Sequence, residues 1–64
     1  MKMAYNILKI RKAKKMTQIE LSEKSGVSRA TISKLESGKE IEVKISTLEA
    51  ISTALDVTWP ELIN

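Results

Sequence analysis

Apolar side chains recur along this chain at helical spacing, and the breaks between runs fall at capping residues rather than at proline or glycine clusters. Ile7, Ile10 and, past the helix end, Met16 lie toward one side of a first helix expected from about Tyr5 to Lys14. Lys9, Lys12, Lys14 and Lys15 fall mostly elsewhere. Thr17-Gln18-Ile19-Glu20 has the form of a capping box, in which the threonine hydroxyl satisfies a free amide and the glutamate reaches back to the cap. A second helix therefore starts at Gln18. It stops at Ser25-Gly26, where glycine supplies a left-handed backbone at little steric cost. Ser28 can cap a third helix, running from about Arg29 to Glu36, that turns Ile32 and Leu35 inward and ends at Ser37-Gly38.

Beyond Gly38 the period changes. Lys39-Glu40-Ile41-Glu42-Val43-Lys44-Ile45 alternates charged and apolar residues, a strand-like period of two. A strand needs a partner and none is evident in the sequence, so this stretch is expected to be an extended loop anchored by its apolar groups. Ser46-Thr47-Leu48-Glu49 repeats the capping-box pattern and opens a fourth helix with Leu48, Ile51 and Leu55 on one face. Thr58-Trp59-Pro60-Glu61 repeats it again, with Pro60 tolerated because a first-turn amide has no intrahelical partner, and a brief fifth helix carries Leu62 and Ile63. The expected core is Ile7, Ile10, Leu21, Val27, Ile32, Leu35, Leu48, Ile51, Leu55 and Leu62. Trp59 either covers that core or sits at a subunit contact.

Composition narrows the class. With 64 residues and no cysteine, the chain reads as one small domain over 1–64 without a disulfide to supplement its core. Apolar residues make up 42% and aromatics only 3%, so burial rests on Ile, Leu, Val, Met and Ala. No apolar run approaches the roughly 20 residues of a membrane span, and MKMAYNILKIRK lacks a signal-peptide core and cleavage site. The expected location is cytoplasmic, with no membrane partner. Residues 1–39 hold ten Lys or Arg against Glu20, Glu23 and Glu36, a balance of +7. Residues 40–64 hold Lys44 alone against five acids, a balance of −4. Such asymmetry suggests one surface facing a polyanion. On composition alone solvated helix faces account for it at least as well, so the order of residues has to decide. An enzyme is disfavoured: there is no His or Cys, no phosphate-loop glycine pattern, no set of metal ligands, and no base beside Ser28 or Ser33. Neither a cofactor nor a metal is expected, and no small-molecule substrate.

Two short helices joined by a tight glycine-bearing turn can present the second helix to a DNA major groove. The residues that fill this frame are specific. Arg11, Met16-Thr17-Gln18, Leu21-Ser22, Gly26-Val27-Ser28 and Ile32-Ser33-Lys34-Leu35-Glu36-Ser37-Gly38, followed by Thr47-Leu48, Ile51, Ala54-Leu55 and Val57, keep the spacing of a known pattern. From Ile7 to Leu62 the chain resembles the Cro/C1-type (XRE) helix-turn-helix family. Ser22 departs from the usual alanine, and the loop after Gly38 is one residue longer than common, with Val43 near a frequent proline. The resemblance implies an all-α, compact five-helix lambda-repressor-like domain in which helices two and three form the helix-turn-helix.

It also implies roles for the matching residues. Gln18 would contact a phosphate at the start of helix two, where free amides also favour an anion. Arg29, Ala30 and Ser33 would read base edges: arginine can donate twice to guanine, a serine hydroxyl serves several bases, and an alanine methyl can touch thymine. Arg29 has a phosphate as its competing target, and Lys34 is divided between base and phosphate in the same way. Ser28 and Thr31 suit a cap and a phosphate contact equally, while Ser37, Lys39 and Lys44 are candidate phosphate contacts. Arg11 and Glu36 look like the family's ion pair between helix one and the end of helix three. Family members commonly bind near-palindromic operators as two-fold dimers, with half-sites roughly 34 Å apart. The resemblance thus implies a repressor-like transcriptional regulator on double-stranded DNA, a homodimer using some of Ile41, Val43, Ile45, Trp59 and Ile63. The rival is an antitoxin or anti-repressor type of module whose main partner is another protein, met by the Lys-rich first helix.

Overall fold

The computed structural model describes residues 2–3 as backbone and residues 5–63 in full. Four α-helices, α1 (Ile7–Ala13), α2 (Gln18–Ser25), α3 (Arg29–Leu35) and α4 (Ile45–Leu55), precede a single 3-10 turn at Trp59–Leu62. Two short strands, β1 (Lys2–Met3) and β2 (Ile41–Glu42), pair antiparallel with Lys2 opposite Glu42 and Met3 opposite Ile41. Ile7, Leu21, Ile32, Leu35, Leu48, Ile51, Leu55 and Leu62 are wholly or almost wholly buried, so every helix contributes to one core. Ile10 and Val27 pack on its margin, half exposed. A domain this small holds its shape only if nearly all of its large aliphatic groups converge in this way.

Four sequence expectations need correction. Helix one begins at Ile7, not Tyr5: Tyr5 is extended, buried and bridged to Ile63, and the Asn6 amide donates to the Leu62 carbonyl at 2.6 Å. The expected loop around Ile41 contains a strand, because Lys2–Met3 supplies the partner from the other end of the sequence. Its period of two was the correct signal. Helix four begins at Ile45 rather than after Ser46, and its cap residue Lys44 makes no side-chain cap bond. Ser46 is already helical, and the amides just ahead of it, those of Thr47 and Leu48, donate to the Lys44 carbonyl at 3.0 and 3.2 Å, which leaves its hydroxyl none to cap. The fifth helix is only the 3-10 turn, and Thr58 Oγ1 donates to Glu61 Oε1 at 3.0 Å instead of capping the backbone. Among the described residues the helical count is therefore four plus a turn. α4 ends on Asp56 in the left-handed region, φ 59°, without a glycine, a stop that the sequence did not announce.

Candidate nucleic-acid interface

The site is built from the cap of α2 forward. Thr17 Oγ1 accepts from the Glu20 amide at 3.0 Å, and Glu20 Oε1 accepts from the Thr17 amide at 3.0 Å, closing the capping box. The Thr17 amide first, and the Thr17 side chain second, hold the Glu20 carboxyl below its ordinary value. At the other end Gly26 turns the chain with φ +75°, its amide donating to the Ser22 carbonyl at 2.9 Å. Ser25 Oγ accepts from the Val27 amide, and half-buried Val27 anchors the turn on the core. Ser28 then caps α3 by accepting from the Thr31 amide at 3.2 Å. Only three residues, Gly26, Val27 and Ser28, thus separate the two helices. Because Ile32 and Leu35 are fully buried, α3 cannot rotate, and Arg29, Ala30, Ser33 and Lys34 are held on its exposed side.

A polar hub locks this arrangement. Arg11 Nε donates to Glu36 Oε2 at 2.7 Å and Arg11 Nη2 to Glu36 Oε1 at 3.0 Å, a bidentate pair whose side chains are only 11% and 5% exposed. Arg11 Nη1 donates to the Met16 carbonyl at 2.8 Å, and Gln18 Nε2 donates to Glu36 Oε1 at 2.8 Å. The hub therefore joins α1, the turn before α2, the first residue of α2 and the residue that ends α3. Burial pushes the Glu36 carboxyl up, but the bonds from Arg11 and Gln18 and the charges of Arg11 and Lys12 outweigh it and hold the group below its ordinary value. The same bond to Glu36 raises Arg11.

Beside the hub lies a surface groove lined by Lys12, Lys15, Thr17, Gln18, Ile19 and Arg29, with Arg11 and Met16 beneath. Lys15 reaches it from a left-handed backbone, φ 56°, where the chain leaves α1. Cations, the start of α2 and the first residue of α3 are thereby brought to one place, a chemistry suited to a phosphate. Residues 7–62 match the Helix-turn-helix family. The chain belongs to the helix-turn-helix family. It is 40% identical over 53 residues to the uncharacterized HTH-type transcriptional regulator RghRB of Bacillus subtilis (strain 168), an alignment covering 83% of this chain and 38% of that one. Against YozG of the same organism, also an uncharacterized HTH-type transcriptional regulator, identity is 46% over 43 residues, 67% of this chain and 51% of that one. The chain thus spans about half or less of the length of these relatives. In structure it is similar to the restriction-modification controller protein C.AhdI from Aeromonas hydrophila, with a TM-score of 0.80 and 30% identity over 89% of this chain and 85% of that one.

Within this helix-turn-helix the remaining sequence candidates fall in several places. Ser28 and Thr31 engage each other, Ser28 Oγ donating to Thr31 Oγ1 at 3.0 Å, at the exposed start of α3. Ser37 Oγ donates to the Lys34 carbonyl at 2.7 Å just past α3, and Lys39 is exposed beyond it. Lys44 does not join the basic groove; it lines a separate depression with Val43, Ile45 and Thr47. Of the residues considered for subunit contact, Ile41, Val43, Trp59 and Ile63 pack against the core of the monomer, and Ile45 is 40% exposed. Sequence reasoning passed over Lys12 and Lys15 as site residues. Their place immediately before the α2 cap was the available signal. It also passed over Ile19, 52% exposed in the groove, for which polarity patterning offers no role. Among the described residues no helix is long and apolar enough to cross a membrane, and no cluster of three acidic, His or Cys groups could hold a metal.

Proposed function

We propose that this chain is a sequence-specific transcriptional regulator that binds double-stranded DNA in the cytoplasm, as a binding module rather than an enzyme. The observation that carries the reading is the fixed delivery of α3. Its buried Ile32 and Leu35 leave Arg29, Ala30, Ser33 and Lys34 outward, next to a groove that gathers Lys12, Lys15 and Gln18. A helix so presented reaches base edges while the groove takes the flanking backbone. Likeness to HTH-type regulators and to a restriction-modification controller protein supports the same reading.

One short recognition helix reads only a few base pairs, too little against a genome of competing sites. A homodimer on a near-palindromic operator, with a repressing outcome, is therefore part of the proposal. Ile45, exposed beside Lys44 and Thr47 and away from the basic groove that holds Ile19, is an apolar group suited to such a contact. Selection of bound sequences from a random duplex library at two salt concentrations tests the whole. Enrichment of a near-palindrome is expected, and no enrichment at either salt would reject it. One observation favours a second reading. Ile19 is an apolar foothold among lysines, which suits an acidic segment of a protein partner, as an antitoxin or anti-repressor type of module would bind, better than it suits a phosphate. In that case heparin and duplex retention would be weak and nearly insensitive to salt.

A further inference from the structure

We propose that Glu36, beyond pairing with Arg11, is the positioning residue for Gln18, holding the Gln18 amide in the one orientation from which its second N–H meets a phosphate. The inference rests on the DNA-binding reading above. Glu36 Oε1 is shared, accepting from Gln18 Nε2 at 2.8 Å and from Arg11 Nη2 at 3.0 Å, while Oε2 accepts from Arg11 Nε at 2.7 Å. A glutamine amide carries two N–H donors, so one is committed to Glu36 and the other stays available in the groove that Gln18 helps to line.

Glutamine has several rotatable bonds, and immobilising a free side chain of this kind on binding opposes association. The bond to Glu36 makes that ordering part of folding, so the phosphate meets a donor already in place. A carboxylate near a phosphate site would ordinarily repel the anion. Here Arg11 lies against both carboxylate oxygens and offsets that charge, which lets Glu36 orient Gln18 without weakening the site. Because Glu36 is the residue that ends α3, the same contact fixes the distance between the phosphate donor at the start of α2 and the base readers on α3. Register on the duplex and the reading of bases are thereby coupled through one side chain.

A double-substitution cycle on a random-sequence DNA duplex, at one fixed salt concentration, tests the proposal. Gln18→Ala and Glu36→Asp are each expected to weaken binding about tenfold, and the double variant also about tenfold, because the two residues act as one unit. Aspartate keeps a charge for Arg11 but is one methylene too short to reach both partners. The accompanying readout is the Gln18 side-chain amide resonance of the free protein. It should shift as Glu36 titrates at acid pH, and should lose that response in Glu36→Asp. Losses that multiply to about a hundredfold in the double variant, or a Gln18 resonance indifferent to Glu36, would overturn the positioning role. A wild-type chain that keeps the coupled resonance but binds no duplex would instead overturn the DNA-binding reading, and the positioning role with it.

Discussion

Removing the Glu36 carboxylate is the perturbation whose consequence the structure fixes most closely. In Glu36→Ala the Arg11 side chain, 11% exposed, loses both bonds of its bidentate pair and keeps only the one from Nη1 to the Met16 carbonyl. Breaking a buried pair by deleting one partner costs about 3–5 kcal/mol, because a charge is left without compensation. The retained Met16 contact and the residual exposure of Arg11 reduce this to about 2–3 kcal/mol here. At about 0.05–0.15 kcal/mol per residue the whole 64-residue domain is stable by only about 3–10 kcal/mol. The loss is therefore a large share, and in thermal unfolding followed by circular dichroism it corresponds to a fall in Tm of about 10–20 °C. Replacing both partners by apolar groups of similar volume, Arg11→Met with Glu36→Leu, should restore most of it. A Glu36→Ala chain within about 0.5 kcal/mol of the parent, the range of an ordinary surface substitution, would mean that the hub does not hold the helices together.

Three further predictions concern pH, turns and bases. Since Glu36 is held below its ordinary value when folded, its contribution is complete above the carboxylate pKa of the unfolded chain. That contribution is lost as pH falls through the lower folded value, so Tm should drop at acid pH and Glu36→Gln should flatten the drop. Parallel curves for the two chains would refute the coupling. Gly26→Ala meets no neighbouring atom but forces alanine to φ +75°, for a destabilisation of about 1–2 kcal/mol in urea unfolding, and Thr17→Ala should cost about 1 kcal/mol through the lost cap; unchanged midpoints in both would contradict the two ends of α2 as described. Arg29→Ala should lose about 1–3 kcal/mol of affinity at one base position and relax preference there. An equal loss on every sequence would reassign Arg29 to the phosphates.

What could be read from the sequence, and what could not, divides along the range of the interactions. The capping box at Thr17, the left-handed turn at Gly26 and the cap at Ser28 are local, encoded within four residues, and all three form. The same pattern at Ser46 failed because the buried Leu48, Ile51 and Leu55 set where α4 begins, and the helix extends back to Ile45. Long-range pairings were harder to see. The period of two around Ile41 announced a strand, but its partner lies nearly forty residues earlier, at Lys2–Met3. At the site, family resemblance names Arg11 and Glu36 as a pair and directs Gln18 outward to a phosphate, whereas Gln18 Nε2 donates to Glu36 Oε1. A single sequence does not show the inward bond from Gln18 to Glu36, because that bond depends on the packing of α2 against α3.

In the proposed reading, the basic groove and the exposed face of α3 together grip duplex DNA. Its most direct test is the salt dependence of binding to the duplex recovered by selection. If each protomer of a dimer neutralises about four phosphates, log K should fall linearly with log salt at a slope of about −7. Lys12→Ala and Lys15→Ala should each make that slope shallower by about one unit per protomer while leaving base preference intact. Weak binding with a slope near zero, or a slope unchanged by both substitutions, would contradict the claim.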